Sequence, residues 1–315
     1  MNLRFKGKGL FVFSDPGGAK PILALSESLK PDLVSYKIIS DRTYSFIDNF
    51  AVEVCKPSLS ALDELKNYRP DFLFTGTSYT SSIELEYLKA AKELAIQSYS
   101  FVDHWTSIRA RFNYSGAEIF PDMILVIDER AKQIALNQGI EISRLIIFAN
   151  PYHQYLEHWK PTISKPEFLR SLGLHGTNKK IALYAPDPLS NIDGSSTFGF
   201  DEITATKQLI TAVKEIKDSY SFVCKLHPNQ KPDSLLSVIG AEMIVAPHEI
   251  DVNLLIFHAD VVIGFFSNLL IEASVMKKPV IRFFLKKGLK DPFENMPIGK
   301  TAYPNTIVQE LKAIQ

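Results

Sequence analysis

The run FVCKLHPNQ, residues 222–230, ends an apolar stretch on His227 and locks that histidine against Pro228. Proline pushes the preceding residue out of the α region and brings no N–H, so a strand stops there. An imidazole at the carboxyl end of a strand can donate to a phosphate oxygen. The plain alternative is a turn. Four other stretches carry comparable chemistry. SDPGGAK (Ser14–Lys20) holds Asp15, a general base or an Asx-turn residue, and then Gly17 and Gly18, which let a ligand approach the backbone. It is not G-x-G-x-x-G, so the dinucleotide fingerprint is absent. SFVDHWTSIRARF (Ser100–Phe112) sets Asp103, His104 and Trp105 after an apolar run, with Arg109 and Arg111 available to a phosphate or carboxylate. YAPDP (Tyr184–Pro188) fixes its loop with two prolines, one of them Pro186, and is read as exposing Asp187. GFFSNLLIEAS (Gly264–Ser274) offers Ser267 or Asn268 as a helix N-cap and Glu272 one turn further, on a face able to accept from sugar hydroxyls. For these last three the alternatives are an anchored polar loop, a rigid turn and an ordinary cap.

These residues share a position: each follows a run that reads as a strand. Open parallel sheets bind ligands beyond the carboxyl ends of their strands. The strand candidates in the first half are GLFVFS, LVSYKIIS, DFLFTGT, QSYSFVD, MILVID and RLIIFAN, with helices expected at Pro21–Leu29, Ser60–Tyr68, Ile83–Ala95 and Glu129–Gln138. Residues 157–180 break the pattern with two prolines and polar turns, which suits a linker. Alternation then resumes: IALYAP, a helix at Thr204–Ile216, SFVCKL, EMIVAP, ADVVIGF, a helix at Ser267–Met276, PVIRF and a last helix at Val308–Ala313. The expected fold is α/β, two doubly wound Rossmann-like domains facing across a cleft: residues 1–155, a linker over 156–178, and residues 179–315.

Bulk properties narrow the classes. The chain has 315 residues, 35 Lys plus Arg against 35 Asp plus Glu, and a sequence pI near 7.1. That balance supplies no field for gathering nucleic acid, so no such partner is expected. The two cysteines, Cys55 and Cys224, both lie in apolar runs and read as reduced core thiols. Neither a signal peptide nor a membrane span is read, and a cytoplasmic location follows as the expectation. The stretch Lys277–Lys290 holds six basic residues and no acid. A solvated loop is its plain reading, and peripheral contact with an anionic membrane face the sharper one.

The order IALYAP, KLHP, LLIFHADVVIGFFSNLLIEASVMKKPVI resembles the C-terminal domain of GT-B glycosyltransferases over residues 180–285. Within that group it looks most like the CDP-glycerol glycerophosphotransferases and the HP-motif enzymes that use CMP-activated sugars. The resemblance implies donor contacts from Gly17, Gly18, Pro186, His227, Pro228, Ser267 and Asn268, ribose binding by Glu272, and base reading along Ala246–Asp251, which includes His248. Two positions depart from the family pattern: Phe265 stands where an Asp is usual, and Asn268 where a second Ser is. IIFANPYHQYL (Ile146–Leu156) resembles the interdomain segment of that fold.

The implied function is a metal-independent transferase. It moves a sugar or glycerophosphate-like group from a nucleotide-activated donor, CMP- or CDP-linked rather than UDP-linked, to a glycan or lipid-linked acceptor in cell-surface polysaccharide synthesis. Asp15, or Asp103 with His104, is the base. No Asp-x-Asp occurs, no metal is expected, and the donor is a substrate, so no cofactor is called for. Two alternatives stand beside it. One is an enzyme like the nonhydrolysing UDP-N-acetylglucosamine 2-epimerases, whose first loop carries an Arg-Pro-Glu signature that SDPGGAK lacks. The other is a non-catalytic sugar-nucleotide-binding subunit.

Overall fold

The computed structural model describes residues 3, 5–192, 194–227, 230, 232–289, 291, 293–294 and 296–314. The chain divides into two compact units, Met1–His158 and Trp159–Gln315.

The first unit runs β1 (Gly7–Phe13), α1 (Pro16–Leu29), β2 (Leu33–Ser40), β3 (Val54–Cys55), α2 (Ala61–Tyr68), β4 (Phe72–Thr75), α3 (Ile83–Glu93) and β5 (Gln97–Val102). A short hairpin follows, β6 (Asn113–Tyr114) and β7 (Ala117–Glu118), then β8 (Met123–Val126), α4 (Glu129–Asn137), β9 (Leu145–Ile147) and α5 (Pro151–His158). Seven strands form one parallel sheet in the order β3-β2-β1-β4-β5-β8-β9. Central strands of a parallel sheet are covered on both faces, which calls for continuous apolar runs. Leu10, Phe11, Val12 and Phe13 of β1 are accordingly all fully buried.

The second unit holds α6 (Lys165–Ser171), β10 (Lys180–Ala185), α7 (Gly194–Thr197), α8 (Glu202–Val213), β11 (Tyr220–Cys224), α9 (Pro232–Ile239) and β12 (Ile244–Val245). It continues with α10 (Val252–His258), β13 (Val261–Gly264), α11 (Asn268–Val275), β14 (Val280–Phe283), β15 (Lys300–Ala302) and α12 (Ile307–Lys312). Its six-stranded parallel sheet has the order β12-β11-β10-β13-β14-β15. Val261, Val262 and Ile263 of β13 are fully buried, and a core of Tyr184, Phe200, Leu209, Leu235, Phe265 and Phe283 packs around the sheet.

The two sheets share a layout that decides where chemistry can sit. In each, the chain builds outward from the first strand in one direction and then crosses to its other side. The order therefore reverses between β1 and β4, and again between β10 and β13. At such a switch point the loops beyond the strand ends part and leave a crevice.

Local differences from the sequence expectations have physical causes. Helix α1 begins at Pro16, five residues before the expected start, because proline at the first helical position needs no N–H partner. Pro21 is carried inside the helix. Helix α6 (Lys165–Ser171) carries a capping box on Ser164 and Glu167. Its Phe168 is fully buried and stacks on His258 with ring centroids 4.7 Å apart, so this part of the expected linker is packed into the second unit. The apolar tract from Leu254 starts within a helix, α10, ahead of the expected strand and helix. Cys224 is fully buried, its thiol pushed up to about 12 by burial, whereas Cys55 is half-buried on the edge strand β3. No helix among the described residues is long and apolar enough to cross a membrane.

Candidate functional site

The first unit's switch point is built from three loops. Gly18 after β1 and Gly76 after β4 pass so closely that a Cβ on Gly76 would stand 2.9 Å from the Gly18 Cα, so the backbone contact requires both glycines. Ser14 and Asp15 are tied to the β4 loop by a buried carboxylate. Glu84, 3 % exposed at the start of α3, accepts the Ser14 N–H at 3.0 Å and the Ser78 hydroxyl. Ser78 in turn accepts the Asp15 N–H at 2.9 Å. Burial pushes the Glu84 carboxyl from 4.5 up to about 7.

Asp15 is heavily engaged. Its carboxylate accepts the Tyr79 N–H at 2.8 Å and the Thr80 hydroxyl, and it pairs with Arg42 at 3.3 Å. Asp103, after β5, is held differently. Its Oδ1 pairs with Arg111 at 3.3 Å, and its Oδ2 lies against Gly17 at the start of α1, 2.2 Å from where a Cβ would be. Arg111 is 8 % exposed, donates to Thr77 Oγ1 at 3.0 Å, and lies 4.4 Å from the centre of the Tyr79 ring. Its Nε is buried without a hydrogen-bond partner.

The other expected residues of this region part company. The His104 Nδ1 faces its own loop, 3.2 Å from the Thr106 N–H and 3.0 Å from its hydroxyl. Burial lowers the His104 pKa, against the pull of Asp103. Trp105 is an anchor whose indole donates to Asp128 at 2.8 Å. Arg109 is committed to Glu118 at 2.5 Å and to the Gln138 carbonyl at 2.9 Å, so it clamps the hairpin and α4.

In the second unit, β10 and β13 lie side by side, with Ala185 opposite Gly264. The loops beyond them are joined by Asp187, which accepts the Phe266 N–H at 2.9 Å. Asp187 is therefore half-buried and bonded, not the exposed turn residue expected from its two prolines. Desolvation pushes its carboxyl up to about 6, moderated by the N–H groups of residues 265–267. Ser267 caps α11, accepting the Leu269 N–H at 3.3 Å, and Asn268 is the first helical residue. Pro186 is buried behind Asp187. Glu272, 7 % exposed, lies one turn into the helix.

His227 follows β11 and is half-buried, and burial lowers its pKa, which favours the neutral imidazole. Pro228 lies outside the described residues. Beside His227, Lys225 donates to the His248 carbonyl at 3.1 Å, while the His248 side chain is exposed. A fully buried carboxylate underlies this region. Glu202 accepts the Ser190 N–H at 2.8 Å, the Ser190 hydroxyl at 2.6 Å and Gln230 Nε2 at 2.9 Å. Gln230 also donates its N–H to the His227 carbonyl at 2.9 Å. Glu202 thus ties the β10 loop to the histidine loop. Neither Glu84 nor Glu202 stood out in the sequence, since each reads as an ordinary acid in the first turn of a helix.

Lys277 and Lys278 precede β14 and Lys286 and Lys287 follow it. Arg282 within the strand is 9 % exposed and paired with Asp291. Lys290 lies outside the described residues. No cluster of three or more His, Cys, Asp or Glu among the described residues is placed to hold a metal ion.

No family model matches the chain, and no curated protein does. Solved structures match over nearly its whole length. The UDP-GlcNAc 2-epimerase from Methanocaldococcus jannaschii is 12% identical with a TM-score of 0.67, covering 98% of this chain and 92% of its own. A putative UDP-N-acetylglucosamine 2-epimerase from Listeria monocytogenes is 13% identical with a TM-score of 0.69, over 98% and 87%. The UDP-GlcNAc 2-epimerase from Neisseria meningitidis, solved bound to UDP-GlcNAc, is 15% identical with a TM-score of 0.63, over 97% and 90%. At such identities the likeness is one of fold. The chain has the expected α/β, GT-B-like architecture with two doubly wound units. These matches are epimerases, and they lend no support to a special closeness to the CDP-glycerol or HP-motif transferases.

Proposed function

We propose that this protein is an enzyme acting on a nucleotide-activated sugar, and that it epimerises the sugar in the manner of the UDP-GlcNAc 2-epimerases. One observation carries the reading. The likeness to those enzymes runs through both units, over 98% of the chain, whereas the resemblance to glycosyltransferase motifs is confined to residues 180–285.

The chemistry suits what the strand ends present. Inverting C2 of such a sugar requires a base to take the C2 proton while the C1–O bond to the nucleotide diphosphate breaks, and then re-addition of the diphosphate at C1 as an acid returns a proton to the other face of C2. The first unit gathers Asp15, Glu84 and Asp103 around one switch point. Asp15 is saturated by the β4 loop and Arg42 and Glu84 is buried nearby, which leaves Asp103, steadied by Arg111, as the group to meet substrate. SDPGGAK lacks the Arg-Pro-Glu signature, so this chain would draw its acid from the β5 loop. In the second unit, the neutral His227 imidazole and the Ser267-capped start of α11 are the donors for a nucleotide phosphate, with Asn268 and Glu272 as further contacts. His104, Pro186 and His248 contribute no side-chain contact to this reading.

The test is incubation of the protein with UDP-GlcNAc alone. Conversion to the C2 epimer, lost on Asp103→Asn and weakened at least tenfold in binding on His227→Ala, is the expected result. The ordered YAP, KLH and SNLLIEA segments favour a second reading, transfer to a glycan or lipid-linked acceptor. Nucleotide release that occurs only when such an acceptor is added would establish it in place of the first.

A further inference from the structure

A buried cation needs a counter-charge, because taking it out of water is costly. Among the described residues three cationic side chains are buried: Arg111, Lys225 and Arg282. Arg111 pairs with Asp103, and Arg282 with Asp291. Lys225, 9 % exposed, forms no ion pair with a carboxylate of the described residues. Its Nζ donates to the His248 carbonyl at 3.1 Å, which engages one of its three N–H donors. The carboxylate whose field reaches it is Glu249, and that side chain is exposed. The neighbouring Cys224 thiol is pushed up to about 12 by burial and so brings no charge. Desolvation lowers the Lys225 pKa, as expected of an ammonium held without an anion.

The place of this cation matters. Lys225 directly follows β11, and its N–H still donates to the Tyr184 carbonyl of β10 at 2.9 Å, so the chain stays extended there. Side chains alternate along an extended chain. Cys224 belongs to the core of the second unit and Leu226 packs against the same core. Lys225 and His227 therefore fall together on the opposite side.

We infer that Lys225 is a binding residue for the phosphates of the nucleotide: its ammonium supplies the positive charge needed by a phosphate that meets His227. The inference rests on the nucleotide reading above for the identity of the ligand. The neutral His227 imidazole donates a hydrogen bond but brings no charge. A sugar-linked diphosphate is anionic, and it gains further negative charge when the C1–O bond breaks. A cation in a desolvated crevice stabilises that departing group more than one in water would. The ligand in turn supplies the anion that the fold withholds from Lys225.

Lys225→Met tests this, since methionine fills the space of the lysine stem without its charge. Lys225→Gln, which keeps a donor for the His248 carbonyl, should follow Lys225→Met. Titration calorimetry of the whole protein would use UDP, uridine and inorganic pyrophosphate as probes, at low and at high salt. Both variants should weaken UDP at least tenfold at low salt and by less at high salt, with uridine changed less than twofold. Lys225→Arg should hold UDP within threefold of wild type. Without ligand, Lys225→Met should melt at or above the wild-type temperature, because an uncompensated buried charge has been removed. A merely structural lysine predicts the reverse: a lower melting temperature and equal loss of UDP and uridine. That pattern, or unchanged UDP affinity, overturns the inference and leaves the nucleotide reading standing. Pyrophosphate binding that Lys225→Met weakens, in a protein that binds no nucleotide, sustains the cationic role and overturns the nucleotide reading. No binding of any probe overturns both.

Discussion

Asp103 and Gly17 are a matched pair: the Asp103 Oδ2 lies 2.2 Å from where a Cβ on Gly17 would begin. The absent side chain on α1 makes the seat, and the β5 loop supplies the carboxylate that fills it. Gly17→Ala should therefore separate folding from function. Alanine is about 1 kcal/mol better than glycine inside a helix, which offsets part of the steric cost. The added methyl group must push Asp103 off its seat and away from Arg111. We expect thermal stability to stay close to wild type while turnover of the nucleotide sugar falls at least tenfold. Equal turnover in the two proteins would show that Asp103 does not act from this position.

Glu84 predicts a pH dependence of stability. Its carboxyl is raised in the folded protein to about 7 from 4.5, chiefly by burial and in part by the nearby Asp15. The folded state thus binds the proton more tightly than the unfolded chain does. Its contribution is fully present below about 4.5 and is lost as pH rises to about 7, a change on the order of 3 kcal/mol. Glu84→Gln can keep the contacts to Ser14 and Ser78 and cannot titrate. Denaturant melts at pH 5 and pH 8 should show the variant gaining on wild type at the higher pH. Parallel behaviour of the two proteins would refute the assignment.

Glu202 should matter for order in two loops at once. Glu202→Ala removes the acceptor shared by the Ser190 N–H, the Ser190 hydroxyl and Gln230 Nε2, and an unmet buried donor such as the Gln230 amide costs about 1–3 kcal/mol. Amide exchange by NMR is the direct check. The Ser190 and Gln230 amides should lose protection together, ahead of Val223 in the sheet. Unchanged protection at both would mean that the loops hold without the carboxylate.

Phe168→Ala tests whether residues 164–172 belong to the second unit. The ring is fully buried against His258, and truncating such a phenylalanine costs about 3–5 kcal/mol. Denaturation of the full chain should show this loss, with α10 the helix whose amides open first. A change below 1 kcal/mol would mark the segment as a tether only.

Periodicity and strand-end position were legible in the sequence. The runs GLFVF and IALYA announce strands buried on both faces, because only apolar side chains fit a parallel sheet covered on each side. His227, Asp15, Asp103 and Ser267 were legible as strand-end residues because chemistry in this architecture collects there. Contacts between loops far apart in sequence were not legible. Glu84 reaches Ser14 across seventy positions, Asp187 reaches Phe266 across seventy-nine, and Arg109 is spent on Glu118 rather than left free. Sequence spacing carries no record of such pairings, since strand order in the sheet decides which loops become neighbours. Edge strands of two or three residues, such as β3 and β15, were missed for a related reason: their backbone partners, not their own side chains, make them strands. The chain's residue types decided what chemistry was available. The switch points of the two sheets decided which carboxylates were consumed in holding the loops and which remained to act.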